Sequence, residues 1–125
     1  MISYVEDSAL REKVFDIVQK LGMQHINTEK MRCFRSHGSG SRRIVARCYA
    51  LSKIWQQALK TDAHYIIEIL SEKFDKLSDE DKEKVLIHEL LHVPKTFGGG
   101  FRHHDYVCRQ NVDILYKKLK ANRTF

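Results

Sequence analysis

No apolar run in these 125 residues approaches the ~18 that a membrane-spanning helix needs, so the chain is expected to cross no bilayer. The opening MISYVEDSALREKVFD carries acids where a secretory signal has a basic end and an apolar block, and the expectation is a cytoplasmic protein. Cysteine is scarce. Cys33, Cys48 and Cys108 are odd in number, widely spaced and without a CxxC pair, which fits a reducing compartment. Cys33 and Cys48 fall where neighbouring strands would bring them face to face, although small buried thiols are the plainer reading. Repeats, low-complexity tracts and linkers are absent. At this length, with 42% hydrophobic and 30% charged residues, residues 1–125 are expected to form one soluble globular domain with no room for a regulatory module.

Acid is nearly missing from residues 29–60. Lys30, Arg32, Arg35, Arg42, Arg43, Arg47, Lys53 and Lys60 stand there against Glu29 alone. Eight cations against one acid leave that segment at +7 and, the whole chain being +6, the remainder at −1. Such a segment can attract nucleic acid weakly, with Arg32, Arg35, Arg42, Arg43 and Arg47 as candidate contacts, or it is a solvated face that keeps the protein soluble.

The periodicities that are present predict an α+β fold. Leu10, Val14, Ile17, Val18 and Leu21 recur at helical spacing, with Asp7 or Ser8 able to cap the start and Gly22 the end. In KMRCFRSHGSGSRRIVARCY two partly alternating runs flank a Ser/Gly turn, which predicts a β-hairpin. LSKIWQQALK puts Leu51, Ile54, Trp55 and Ala58 on one helical face, and HYIIEIL is a β-branched third strand. Ser78 can cap a helix over SDEDKEKVLIHELLHV, whose first turn is acidic and which Pro94 ends. HDYVCRQNVDILYKKLK closes the chain as another amphipathic helix.

Four of the seven histidines lie in VLIHELLHVPKTFGGGFRHHDYV, residues 85–107. Two of them frame Glu89 as His88-Glu89-x-x-His92. Residues four apart on a helix are separated by about 40° and roughly 6 Å of rise, so both rings can aim at one point. Two imidazoles at that spacing suit one zinc ion, and a glutamate next in sequence can reach a water on the metal without ligating it. The helix is apolar around the frame (Val85, Leu86, Ile87, Leu90, Leu91, Val93) and is expected to be largely buried, so its polar groups need partners, and a metal with its water supplies them together.

A catalytic zinc needs a third protein ligand and an open position. The metzincin pattern places a histidine ten residues after the first, where this chain has Gly98, and that class is excluded. The candidates are His103, His104, Asp105, Cys108 and Asp113. His104 is favoured, because a flexible KTFGGG loop can turn the chain back to the helix; His103 is the alternative third ligand, since adjacent side chains point apart. Tyr106 or His103 could donate to an oxyanion.

From HYIIEIL through HELLHVPKTFGGGFRHHDY, about residues 64–107, the sequence resembles a family of small metallopeptidases of archaea and phages with the signature HELLHIP-x-TF-x-GG-x-R-x-H. The Arg-rich segment and KIWQQAL resemble that family more loosely. More distantly the chain is similar to SprT/Spartan-type minimal zincins. These resemblances imply a zincin-like fold, in which a small three-stranded, mostly antiparallel sheet packs on the HExxH helix between N- and C-terminal helices. They imply one zinc held by His88, His92 and His104, Glu89 as general base, and a peptide or protein substrate paired with the free edge of HYIIEIL. Other readings are a nucleic-acid-associated module with structural zinc, or a SprT/Spartan-like protease acting on DNA-bound proteins.

Overall fold

The computed structural model describes residues 1–123. Its elements run β1 (Ser3–Glu6), α1 (Ser8–Lys20), a 3-10 turn (Thr28–Lys30), β2 (Met31–His37), β3 (Ala46–Ala50), α2 (Lys53–Leu59), β4 (Tyr65–Leu70), α3 (Ser71–Phe74), α4 (Asp79–Leu91) and α5 (Arg109–Arg123). The α+β class is as expected and the arrangement is compatible with a zincin-like fold. No helix among the described residues is long and apolar enough to cross a membrane.

The sheet corrects the expected number of strands, which was three, and keeps the expected mostly antiparallel pairing. It has four, in the order β1-β2-β4-β3, and β2 runs parallel to β4 while β1–β2 and β3–β4 are antiparallel. The short exposed β1, with no buried face, gives no alternating signal to read. The expected β2–β3 hairpin does not form, because β4 lies between its two arms. Tyr65, Ile67, Glu68, Ile69 and Leu70 are all buried, and a run buried on both faces belongs at the sheet centre. Residues 38–45 therefore cross over β4 instead of making a tight turn. Two further expectations fall with the hairpin. Cys33 and Cys48 both pair opposite Ile67, one strand apart from each other, and remain free thiols. The free edge nearest α4 is that of β3, not of HYIIEIL, whose two edges are both taken.

α1 forms as its pattern requires. The Asp7 side chain accepts from the Leu10 amide at 2.9 Å, and Leu10, Val14, Ile17 and Val18 are buried against β2 and α5. Each such side chain contributes roughly 1.5–3 kcal/mol on full burial. α4 is capped by Ser78, whose hydroxyl accepts from the Asp81 amide at 3.1 Å, and it buries Leu86, Ile87, Leu90 and Leu91 between the sheet and α5. α2 departs from expectation. Its apolar face is there, but Ile54, Trp55 and Leu59 point to solvent, and the helix buries no residue. It is tied down instead through Gln56, whose Nε2 donates to the Leu51 and Gly98 carbonyls at 2.8 and 3.0 Å.

Candidate metal centre

Helical spacing puts Asp81, Lys84, Val85, His88, Glu89 and His92 on one side of α4, facing a cleft of about 1030 Å³ between β3, α4 and the start of α5. At its centre, ligand nitrogens of His88, His92 and His104 all lie within 4.8 Å of one another. The ring centroids are 5.1, 5.6 and 5.0 Å apart for the pairs 88–92, 88–104 and 92–104. The Arg102 carbonyl accepts from His92 Nδ1 at 2.7 Å, which puts the proton on Nδ1 and leaves Nε2 with a free lone pair. No hydrogen-bond partner is found among the described residues for the rings of His88 or His104.

His104 reaches this point through a clamped loop. Arg102 donates its amide to the His92 carbonyl at 2.7 Å, closing residues 92–102 into a ring. The Tyr65 hydroxyl donates to the Gly100 carbonyl at 2.7 Å and accepts from the Gly99 amide at 3.0 Å, while Gln56 holds Gly98. Gly99 has φ +105°, and a Cβ there would lie 2.5 Å from both the Leu51 oxygen and Gln56 Nε2, so no other residue fits. The expected flexible segment is in fact stitched to β4 and α2.

Glu89 is 6% exposed and its Oε2 lies 3.9 Å from His88 Nε2. Burial pushes its carboxyl up to about 7. Burial, with His92 and His104 alongside, pushes His88 down to about 4, so its ring is neutral and able to ligate at pH 7. Imidazole nitrogens converging beside a buried carboxylate are the donor set of a divalent ion with a taste for nitrogen. A dication there would also favour the ionised form of Glu89.

The other candidate residues lie elsewhere. His103 is exposed on the cleft wall outside the trio, and its carbonyl accepts from the Tyr106 and Val107 amides. Asp105 accepts from the Tyr106 amide, Asp113 pairs with Lys84 at 3.2 Å, and Cys108 lines the cleft without joining the cluster. Tyr106 packs its ring under the Arg102 guanidinium, 3.3 Å from the centroid, and is not among the cleft-lining residues. Of the arginines, Arg32 pairs with Glu6, Arg35 with Asp7 and Asp75, and Arg47 approaches Glu68 at 3.8 Å. Arg42 and Arg43 are exposed and have no ion-pair partner among the described residues. Sequence reasoning missed the cleft positions Asp81, Lys84 and Val85, although their spacing from His88 could have found them. It also missed the Arg102 carbonyl, which has no side-chain signal.

Fold and cluster together mark an α+β protein able to hold a metal ion in an open cleft beside a sheet edge. The chain belongs to the family described as "Putative phage metallopeptidase", whose model matches residues 2–122 and so extends the resemblance from the histidine segment over nearly the whole chain. No curated protein and no solved structure matches it. Family membership implies a metal and a peptide or protein substrate.

Proposed function

We propose that this protein is a zinc-dependent peptidase in which His88, His92 and His104 hold one zinc ion and Glu89 is the general base. The observation that carries this reading is the meeting of three imidazoles within 4.8 Å beside a buried carboxylate. Zinc would supply Lewis acidity towards a peptide carbonyl and a water of lowered pKa. The residues do the rest. His92 is held in its ligating tautomer by the Arg102 carbonyl. The substrate backbone adds to the free edge of β3, which lines the cleft through Ala46, Arg47, Cys48 and Tyr49. Glu89 takes a proton from the attacking water and passes it to the leaving nitrogen. The C–N bond breaks, the water oxygen stays on the new carboxylate, and the nitrogen leaves as an amine. His103, on the cleft wall, is better placed than Tyr106 to donate to the developing oxyanion.

Glu89→Gln tests the reading. It keeps size and hydrogen bonding and removes the base. Zinc-loaded protein should cut denatured polypeptide, and the variant should bind zinc equally while losing about 10²–10⁴ in turnover. Undiminished turnover by a fully zinc-loaded variant would overturn the role given to Glu89.

A further inference from the structure

The cleft has a direction. At one end Phe101 lies against both His92 and Tyr65, with ring centroids 6.5 and 6.3 Å away, and Tyr65 pairs with Ala50 at the end of β3. At the other end lie the start of β3, where the Val45 carbonyl accepts from the Leu70 amide at 2.9 Å, and the first turns of α4. A peptide added antiparallel to β3, the slightly more stable pairing, enters with its amino side near Ala50 and leaves with its carboxyl side near Val45. The residue just after the scissile bond therefore falls one turn before His88 on α4.

The lining there is apolar and short. Val85 and Leu77 are half-buried, Val107 and Val112 are 1% and 5% exposed, and none of these side chains is larger than leucine. Beyond them stand Arg43, on the approach to β3, and Arg109, at the start of α5, on opposite walls. Neither has a carboxylate partner among the described residues. Of the acids at that end, Asp113 is held by Lys84, and Asp81 sits on the exposed rim. Glu80 also lies 3.9 Å from Lys84, so the acids there match the cations in number, but none of them pairs with Arg43 or Arg109.

We propose that the cleft selects a polypeptide with a bulky apolar residue on the carboxyl side of the scissile bond and a carboxylate within the next two residues. The apolar side chain fills the space over Val85, Val107 and Val112, and the carboxylate is met by Arg43 and Arg109. This specificity rests on the peptidase reading.

The test is digestion of a proteome-derived peptide library by zinc-loaded protein, with the new amino termini sequenced by mass spectrometry. Termini beginning with Leu, Ile, Met or Phe should exceed those beginning with Ala or Gly by about tenfold or more, with Asp or Glu enriched at the following two positions. Val85→Phe, which fills the space, should shift cutting towards small residues with zinc content unchanged; Cys108→Leu serves if that variant does not fold. Arg43→Glu combined with Arg109→Glu should turn the acidic preference to a basic one. Fluorescein-labelled peptides give a readout free of turnover: a Leu-Glu peptide should bind metal-free protein more tightly than its Ala-Lys counterpart. Cleavage with no excess of apolar residues over the library composition overturns this inference and leaves the peptidase reading standing. If no peptide is cut, the peptidase reading fails and takes this inference with it.

Discussion

The histidine region and the arginine-rich region treat charge in opposite ways. His88, His92 and His104 span seventeen residues of sequence yet bring ring nitrogens to one point, with no hydrogen-bond partner found among the described residues for the His88 and His104 rings. Arg32, Arg35 and Arg47 lie within sixteen residues of one another, yet each is drawn to a different acid: Glu6, Asp7 with Asp75, and Glu68. Density of charge along a sequence is thus a poor guide to a surface patch. Groups left available, and converging, are the better guide to a site.

The largest effect is expected at His104. Replacing it with Ala should weaken zinc binding more than about 100-fold, beyond the loss typical of an outer-shell partner, whereas His103→Ala should leave affinity unchanged. Competition with a chromophoric chelator measures both, and equal losses would mean that the wrong histidine has been assigned.

Next in size is the cost of keeping Glu89 buried. Its carboxyl is raised from an ordinary 4.5 to about 7. Between those values the folded metal-free protein holds a proton that the unfolded chain has released, so stability falls as pH rises and the loss is complete above 7. Metal-free Glu89→Gln should therefore be more stable than the parent at pH 8, by on the order of 3 kcal/mol, with no gain at pH 4. His88 acts in the opposite sense, losing stability as pH falls from 6.5 towards about 4, but it does so equally in both proteins. Zinc should erase the difference at pH 8. Thermal melts at the two pH values, with and without zinc, check the sign.

Arg35→Ala comes third. Arg35 Nε donates to Asp7, the cap of α1, at 3.1 Å, and Nη1 donates to Ser71 and Asp75 at 3.1 and 2.8 Å. Removing it should cost about 1–3 kcal/mol by urea unfolding, because three partners lose it together. Arg32, which is exposed and has Glu6 as its one ion-pair partner among the described residues, should cost under about 1 kcal/mol. The smallest effect is expected at Arg42. Exposed and without an ion-pair partner among the described residues, it should tolerate reversal to Glu within about 0.5 kcal/mol.

Much of α4 was legible. Ser78, the acidic first turn and Pro94 mark its ends, and four-residue spacing alone puts His88 and His92 on one face. The strands were legible as strands but not as a sheet. Alternation identifies a half-buried strand, yet nothing local in the Ser/Gly stretch 38–41 says that β4 will insert between its flanking arms. The signal was in YIIEIL itself, whose nearly unbroken apolar run asks for burial on both faces. α2 misled for the reverse reason: Ile54, Trp55 and Ala58 fall on one face, but an apolar face is buried only where another element arrives to cover it. His104 came from the loop argument and the family resemblance, because helical spacing ends at Pro94. What carries it to the cluster is backbone, in the bonds from Arg102, Gly99 and Gly100, and backbone bonds leave little trace in side-chain pattern.

The most direct test is a crystal structure of the zinc-loaded protein. It should show one ion bound by imidazole nitrogens of His88, His92 and His104 at about 2.0–2.1 Å, with an open fourth position and the Glu89 carboxylate outside the coordination sphere. Zinc closed off by a fourth protein ligand, zinc bound without His104, or no zinc at this cluster would contradict the proposed site.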